Sequence, residues 1–189
     1  RSIASSSPRC DGERFAIAVK VRVMHVQVRR LLLASGRWEH EAWGAPINQH
    51  DMMATLLLFS TVVVLGARRF GCDIRDDEAE DLVHLWRYVG HLIGVEPGLA
   101  PTTMVEAEAR LAIIQITEGP VDDDGRALAQ ALIRHLEVAA RSEGERRAAI
   151  RRQPFAHGLV RGLLGDELAD GLGIDRTAWR FAVPAMAAL

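Results

Sequence analysis

Apolar residues crowd the first long segment of the chain without a break. Between Arg14 and Ala34 there is no proline or glycine, and Phe15, Val19, Val23, Val26 and Leu33 stand among further apolar residues. The length of the run predicts a helix starting near Glu13, with strand as the competitor because so many positions are β-branched. Apolar side chains fall all round this helix, so most of its circumference is expected to be buried. Residues 1–12, RSIASSSPRCDG, read as a loop in which Ser, Pro and Gly cluster without a period.

The pattern then alternates between polar breaks and apolar runs. GRWEHEAWGAPIN is a loop, after which Asn48 or Asp51 can cap a helix reaching about Arg69. Its core, MMATLLLFSTVVVLGA, has 16 residues. At about 1.5 Å per residue that is short of the roughly 20 residues that span a bilayer, so a buried core helix is favoured and a membrane-associated segment is the alternative. Asp76, Asp77 and Glu78 supply the negative first turn of the next helix, which runs through DLVHLWRYVGHLIG until Gly94 and Pro97 end it. Thr102 is placed to cap MVEAEARLAIIQI, and GPVDDDG reads as a polar linker. A long amphipathic helix from about Asp123 to Ser142 follows, then a short basic helix, a Pro154-led helix through Leu164, and a terminal WRFAVPAMAAL helix kinked at Pro184. No strand pair and no repeat emerges, so the fold class is all-α, in one domain over residues 1–189.

Composition narrows the function more than it names it. Hydrophobic residues make up 49% of the chain and charged residues 25%, enough for a real core and room for an apolar cavity. The formal net charge of -2, with basic residues scattered over several helices, argues against a nucleic-acid surface. Lys20 is the only lysine, so nearly every cation is a fork-shaped guanidinium; a high-GC codon bias gives the same composition. Cys10 and Cys72 sit in loop and turn contexts and suggest neither a metal cluster nor a disulfide framework. The chain begins at Arg1 without Met, so the compartment, cytoplasmic or secreted, is not read from the sequence.

Chemistry is concentrated at few positions. Arg22, His25 and Arg29 are three and four residues apart, on one face of the first helix among Val, Met and Leu. Flanking guanidiniums oppose a further positive charge on the ring, and neutral imidazole is the form that ligates a metal. The same arginines can pair with carboxylates beside it. The competing reading is a core histidine bonded to a carbonyl, with arginines that snorkel to water. His84, Tyr88 and His91 form a second face with Trp86 and Arg87 between them, read first as core polar contacts. His40, His50, His135 and His157 stand in loop or polar contexts and are expected to be solvated. Glu-x-x-His and His-Glu-x-x-His pairs, Gly-rich phosphate loops, Gly-x-Ser-x-Gly and Cys-x-x-Cys are all absent from the sequence.

Taken in order, VRVMH and VRRLL, WGAPINQHD with Thr55, HLWRYVGHLIGV, and LVRGLLGDELADGLGI resemble the family of the rubber oxygenase called latex clearing protein and the fungal oxygenase of the mycophenolic acid pathway. The resemblance covers most of the chain. It implies a globin-like multi-helix bundle holding haem b, with O2 and an apolar, isoprenoid or lipid-like substrate as partners and oxidative C=C cleavage as the reaction. It implies that His25 is the proximal iron ligand, that Arg22 and Arg29 flank it, and that His84 and Arg87 are cofactor contacts. Asn48, Gln49, Asp51 and Thr55 resemble the family's loop-and-helix signature. The family's distal polar residues, an Arg and a Thr among them, lie on a helix upstream of the proximal histidine and have no counterpart here, so the catalytic residues stay unassigned. The alternative is a helical binding or interaction domain that keeps the fold without catalysis.

Overall fold

The computed structural model describes residues 12–187, all helix and connections, with no strand among them. The expected loop at residues 1–12 falls outside the described residues except for Gly12, which caps the first helix in extended conformation. The described chain divides into two compact units. One takes the chain up to Val63 together with Arg75–Ile114; the other takes Val64–Ile74 and the chain from Gln115.

Helix α1, Glu13–Ala34, begins where the pattern places it, and α2, His40–Trp43, is a single turn within the following loop. The apolar core expected as one helix is two, α3 (Gln49–Phe59) and α4 (Thr61–Arg69). Ser60 breaks them at φ -110° and ψ -82°. Its hydroxyl donates to the Leu56 carbonyl at 2.8 Å, the same acceptor that its N–H reaches at 3.1 Å, a back-bond of the kind that bends helices. By length and composition Gln49–Arg69 is apolar enough to cross a membrane, with a mean hydropathy of 1.6, and 39% of its most apolar window is buried within the protein. Met52, Met53, Leu56, Leu57, Ser60, Thr61 and Val64 form the inward side, while Leu58, Phe59, Val62 and Val63 face outward.

Helix α5, Asp76–Ile93, ends in Gly94 at φ 102°, a left-handed conformation that costs glycine least. Gly90 lets α5 close on α3, since a Cβ there would lie 3.1 Å from a Leu56 methyl. Met52, Leu56, Val95 and Ala100 form the core of this unit, with Ile47, Trp86, Ile93 and Leu99 packed against it. Phe59 stacks on Trp86 at 5.0 Å between centroids. Helix α6, Met104–Thr117, is capped by Thr103, whose hydroxyl accepts from the Glu106 N–H, and not by Thr102. Thr102 instead donates both its N–H and its hydroxyl to the Glu106 carboxylate, each at 2.8 Å. That arrangement is a capping box shifted by one residue.

The expected burial of α1 is not found. Ala18 is its one buried side chain among those described, and Val21, His25, Arg29 and Leu32 are half-buried. Ile17, Met24, Val28 and Leu31 are exposed, Leu31 by 71%. The reason is geometric: α1 packs mainly against α5, along one seam.

The second unit is built on α9. The long amphipathic helix expected over Asp123–Ser142 is α7 (Asp123–Ile133) and a single turn, α8 (His135–Val138); Ser142 is the N-cap of α9. Helix α9, Glu143–Leu164, contains Pro154 rather than starting at it. A proline removes one ladder bond, here to the carbonyl of Ile150. Helix α10, Asp166–Gly171, was not apparent in the sequence pattern. The terminal run is a 3-10 turn, Ala178–Phe181, followed by α11, Ala182–Ala187, whose first turn contains Pro184. The turn and α11 dock on α9 at Gly158 and Gly162, where a Cβ would stand 2.4 Å from Trp179 and 2.6 Å from Val183.

Candidate functional site

His25 lies on the half-buried seam of α1 with Val21, Arg29 and Leu32, the positions that follow Ala18 at helical spacing. Its Nδ1 is shut off from solvent and has no hydrogen-bond partner, while Nε2 is not among the sealed atoms and has no protein partner among the described residues. The carbonyl expected of a core histidine is therefore absent. What remains is a ring with one nitrogen enclosed and the other open to an incoming group.

The two flanking arginines are engaged with backbone. Arg29 donates from Nε to the Pro46 carbonyl at 2.9 Å and from Nη2 to that of Ile47 at 2.5 Å, tying α1 to the WGAPIN loop. Arg22 reaches the end of α5, its Nη1 3.5 Å from the Leu92 carbonyl, where the helix dipole favours a cation. Neither arginine snorkels free of the protein, yet each keeps N–H groups that these contacts leave unused.

The loop signature is architectural throughout. Asn48 accepts from the Asp51 N–H at 3.0 Å and donates to the Asp51 carboxylate at 2.8 Å, which is the cap of α3. Gln49 uses both ends of its amide, donating to the Gly94 carbonyl at 3.0 Å and accepting from the Glu96 N–H at 2.8 Å. Thr55 donates back to the Asp51 carbonyl at 2.9 Å. Motif residues separated by more than 40 positions thus hold the start of α3 to the end of α5.

His84 and Arg87 are exposed rather than core contacts. With Tyr88, His91, Val95, Pro97 and Ala100 they line an open groove of about 230 Å³ that does not include His25. Trp86 turns away from it to stack on Phe59. Among the described residues no three His, Cys, Asp or Glu side chains gather as a metal cluster. A porphyrin brings four nitrogen ligands of its own and asks the protein for one, so a lone histidine with an open Nε2 fits haem iron and does not fit a metal held by protein ligands alone.

The sequence reading missed a buried network in the second unit. His157, expected to be solvated, is 8% exposed; its Nδ1 accepts from the Asp175 N–H at 3.2 Å. Arg161 is 3% exposed and bonds Asp166 at 2.7 Å, Asp170 at 2.6 Å and the Ile174 carbonyl at 2.5 Å. Arg176 also bonds Asp170, and Arg176 first and then Arg161 hold that carboxyl below its usual range. The available signal was the spacing in LVRGLLGDELADGLG, an arginine followed by two acids at i+5 and i+9, too far apart to read as one helical face.

The family described as ER-bound oxygenase mpaB/B'/Rubber oxygenase, catalytic domain, matches residues 4–189. A rubber oxygenase of Streptomyces sp. (strain K30) is 29% identical over 183 residues, covering 91% of this chain and 43% of its own length. A solved structure of latex clearing protein in the closed state superposes with a TM-score of 0.72 at 27% identity, over 94% of this chain and 49% of that one. The chain thus spans less than half the length of the relatives it matches.

Proposed function

Since the chain belongs to the mpaB and rubber oxygenase catalytic-domain family, we propose that it forms the proximal half of a haem b site in an oxygenase acting with O2 on an apolar, isoprenoid or lipid-like substrate. The all-α fold shared with latex clearing protein supports this reading. So does the rubber oxygenase relative, whose name gives its substrate. The observation that carries it is the state of His25, with Nδ1 enclosed and unpaired and Nε2 open on the one seam where α1 is half-buried.

In this reading Nε2 of His25 would hold the haem iron. Arg29 fixes the height of α1 against the Pro46–Ile47 turn, and Arg22 fixes it against the end of α5, so the imidazole is presented from a backbone clamped at both sides. N–H groups left over on either guanidinium could pair with a carboxylate of the bound group. Haem, when bound, supplies the oxygen chemistry; the chain supplies the ligand, its orientation and apolar surroundings. Oxidative cleavage of a C=C bond is the proposed reaction class.

The test is spectroscopic. The chain produced with haem available is expected to show a Soret band that His25→Ala largely removes and that added imidazole restores in the variant. An unchanged spectrum in His25→Ala overturns the ligand assignment. Oxygen uptake with an isoprenoid substrate then separates an oxygenase from a haem-carrying module without turnover.

A further inference from the structure

One edge of α5 carries four polar heads that the reading above leaves unused. His84, Arg87, Tyr88 and His91 line the open groove, and none has a hydrogen-bond or ion-pair partner among the described residues. Several arginines of this protein are ion-paired, and Arg87, among the described residues, is not. Arg75, Arg110, Arg126, Arg146, Arg147 and Arg161 each hold a carboxylate. No Asp or Glu lines the groove. Glu80, one turn before His84, is turned away, and both its oxygens accept from the Met104 N–H at 2.9 and 3.0 Å. Arg87 therefore has no carboxylate partner in the groove, and two imidazoles and a phenol that also line it can donate as well.

The rest of the lining is apolar, made by Val95, Pro97 and Ala100. A guanidinium fork and apolar side chains lining one groove match a ligand with a planar anionic head and a hydrophobic body. The volume of about 230 Å³ lies below the roughly 300 Å³ at which pockets for drug-sized ligands begin, which points to a small ligand. We propose that this groove binds a small amphipathic carboxylate, its head paired with Arg87 and reached by His84, Tyr88 and His91, its apolar body against Val95, Pro97 and Ala100. The inference gives His84 and Arg87 a role other than the cofactor contact that the resemblance implies for them, and it leaves the assignment of His25 untouched, because His25 does not line the groove.

Benzoate is the probe, followed by backbone amide shifts in the full chain, with benzamide and inorganic phosphate as comparisons. Benzoate is expected to shift the amides around Tyr88, His91 and Val95 saturably. Arg87→Gln, an exposed position where folding is not at stake, is expected to weaken it about tenfold or more, the range of a lost charged hydrogen bond. His25→Ala is expected to bind benzoate as the unaltered chain does, which separates failure here from failure of the iron ligand. Equal affinity for benzamide, equal affinity of Arg87→Gln, or no saturable shift up to the probe's solubility each overturns the site. Phosphate binding as tightly as benzoate overturns the amphipathic part, since the apolar lining would then contribute nothing.

Discussion

Arg29 bonds the carbonyl of Ile47, the only non-glycine residue among those described with a positive φ, at 54°. A β-branched residue in the left-handed region is strained by about 1–3 kcal/mol, and it persists where the surroundings over-determine it. Here the surroundings are the Arg29 fork on two successive carbonyls and the packing of the Ile47 side chain against Met52, Leu56, Val95 and Ala100. Arg29→Ala is expected to lower stability by about 2 kcal/mol, since it removes charge-assisted bonds to part-buried carbonyls. Arg29→Lys should recover only a minor share, because an ammonium cannot reproduce a planar fork on two acceptors. Urea unfolding midpoints of the three proteins check this; a lysine variant as stable as the parent would show that charge alone suffices.

That pairing also marks where the sequence stops being informative about the site. The residue types of α1 and their spacing were legible, and so was the cap at Asn48, because both are local patterns. That Arg29 would turn to carbonyls 17 and 18 positions away, and that Gln49 would bridge Gly94 and Glu96, depends on how the loop meets α5, which no periodicity encodes. For the same reason His84 and Arg87 were read as inward when they line a groove: the α5 pattern places its apolar face but not which neighbours leave the other edge open.

Gly158 and Gly162 set how closely the terminal turn and α11 approach α9. A Cβ on Gly158 would stand 2.4 Å from the Trp179 Cβ and 2.5 Å from its backbone carbonyl carbon, and backbone cannot yield as a flexible side-chain tip can. Gly158→Ala is expected to cost about 1–3 kcal/mol as overpacking, despite the better helix propensity of alanine. Gly66 is the contrast, since a Cβ there meets nothing nearer than a Leu163 methyl at 4.0 Å. Gly66→Ala should therefore be neutral or stabilising by up to about 1 kcal/mol. Thermal unfolding of both variants decides it, and similar midpoints for the two would remove the claim of close approach.

Helix boundaries failed in the sequence where a side chain bonds backbone. Ser60, bonded back to Leu56, stands where the apolar run breaks, and Ser142 ends nothing but instead starts α9, accepting from the Glu145 N–H at 3.2 Å. Pro154 sits inside α9 because the helix continues on both sides and Thr177 bonds the Pro154 carbonyl at 2.8 Å, so a residue that normally opens a helix is carried in its middle. The all-α class survived these errors because it rests on the long apolar periods and not on where each one ends.

Glu106 gives the chain an acid-sensitive point whose sign is fixed. Arg110 above all, with Thr102 donating from backbone and hydroxyl, lowers its carboxyl from the ordinary 4.5 to about 2. A depressed folded-state value means the ionised form stabilises the fold: the contribution is fully present above about pH 4.5 and is lost as pH falls through about 2. Arg110 at the same time bonds the Leu99 carbonyl at 2.5 Å, so protonation loosens the turn before α6 as well as the helix's own pair. Glu106→Gln is expected to be less stable than the parent near neutrality and to lose less on acidification, so the two stability curves converge between pH 4.5 and 2. Urea midpoints measured across that window test it; parallel curves would show that the Glu106 carboxylate is not coupled to folding.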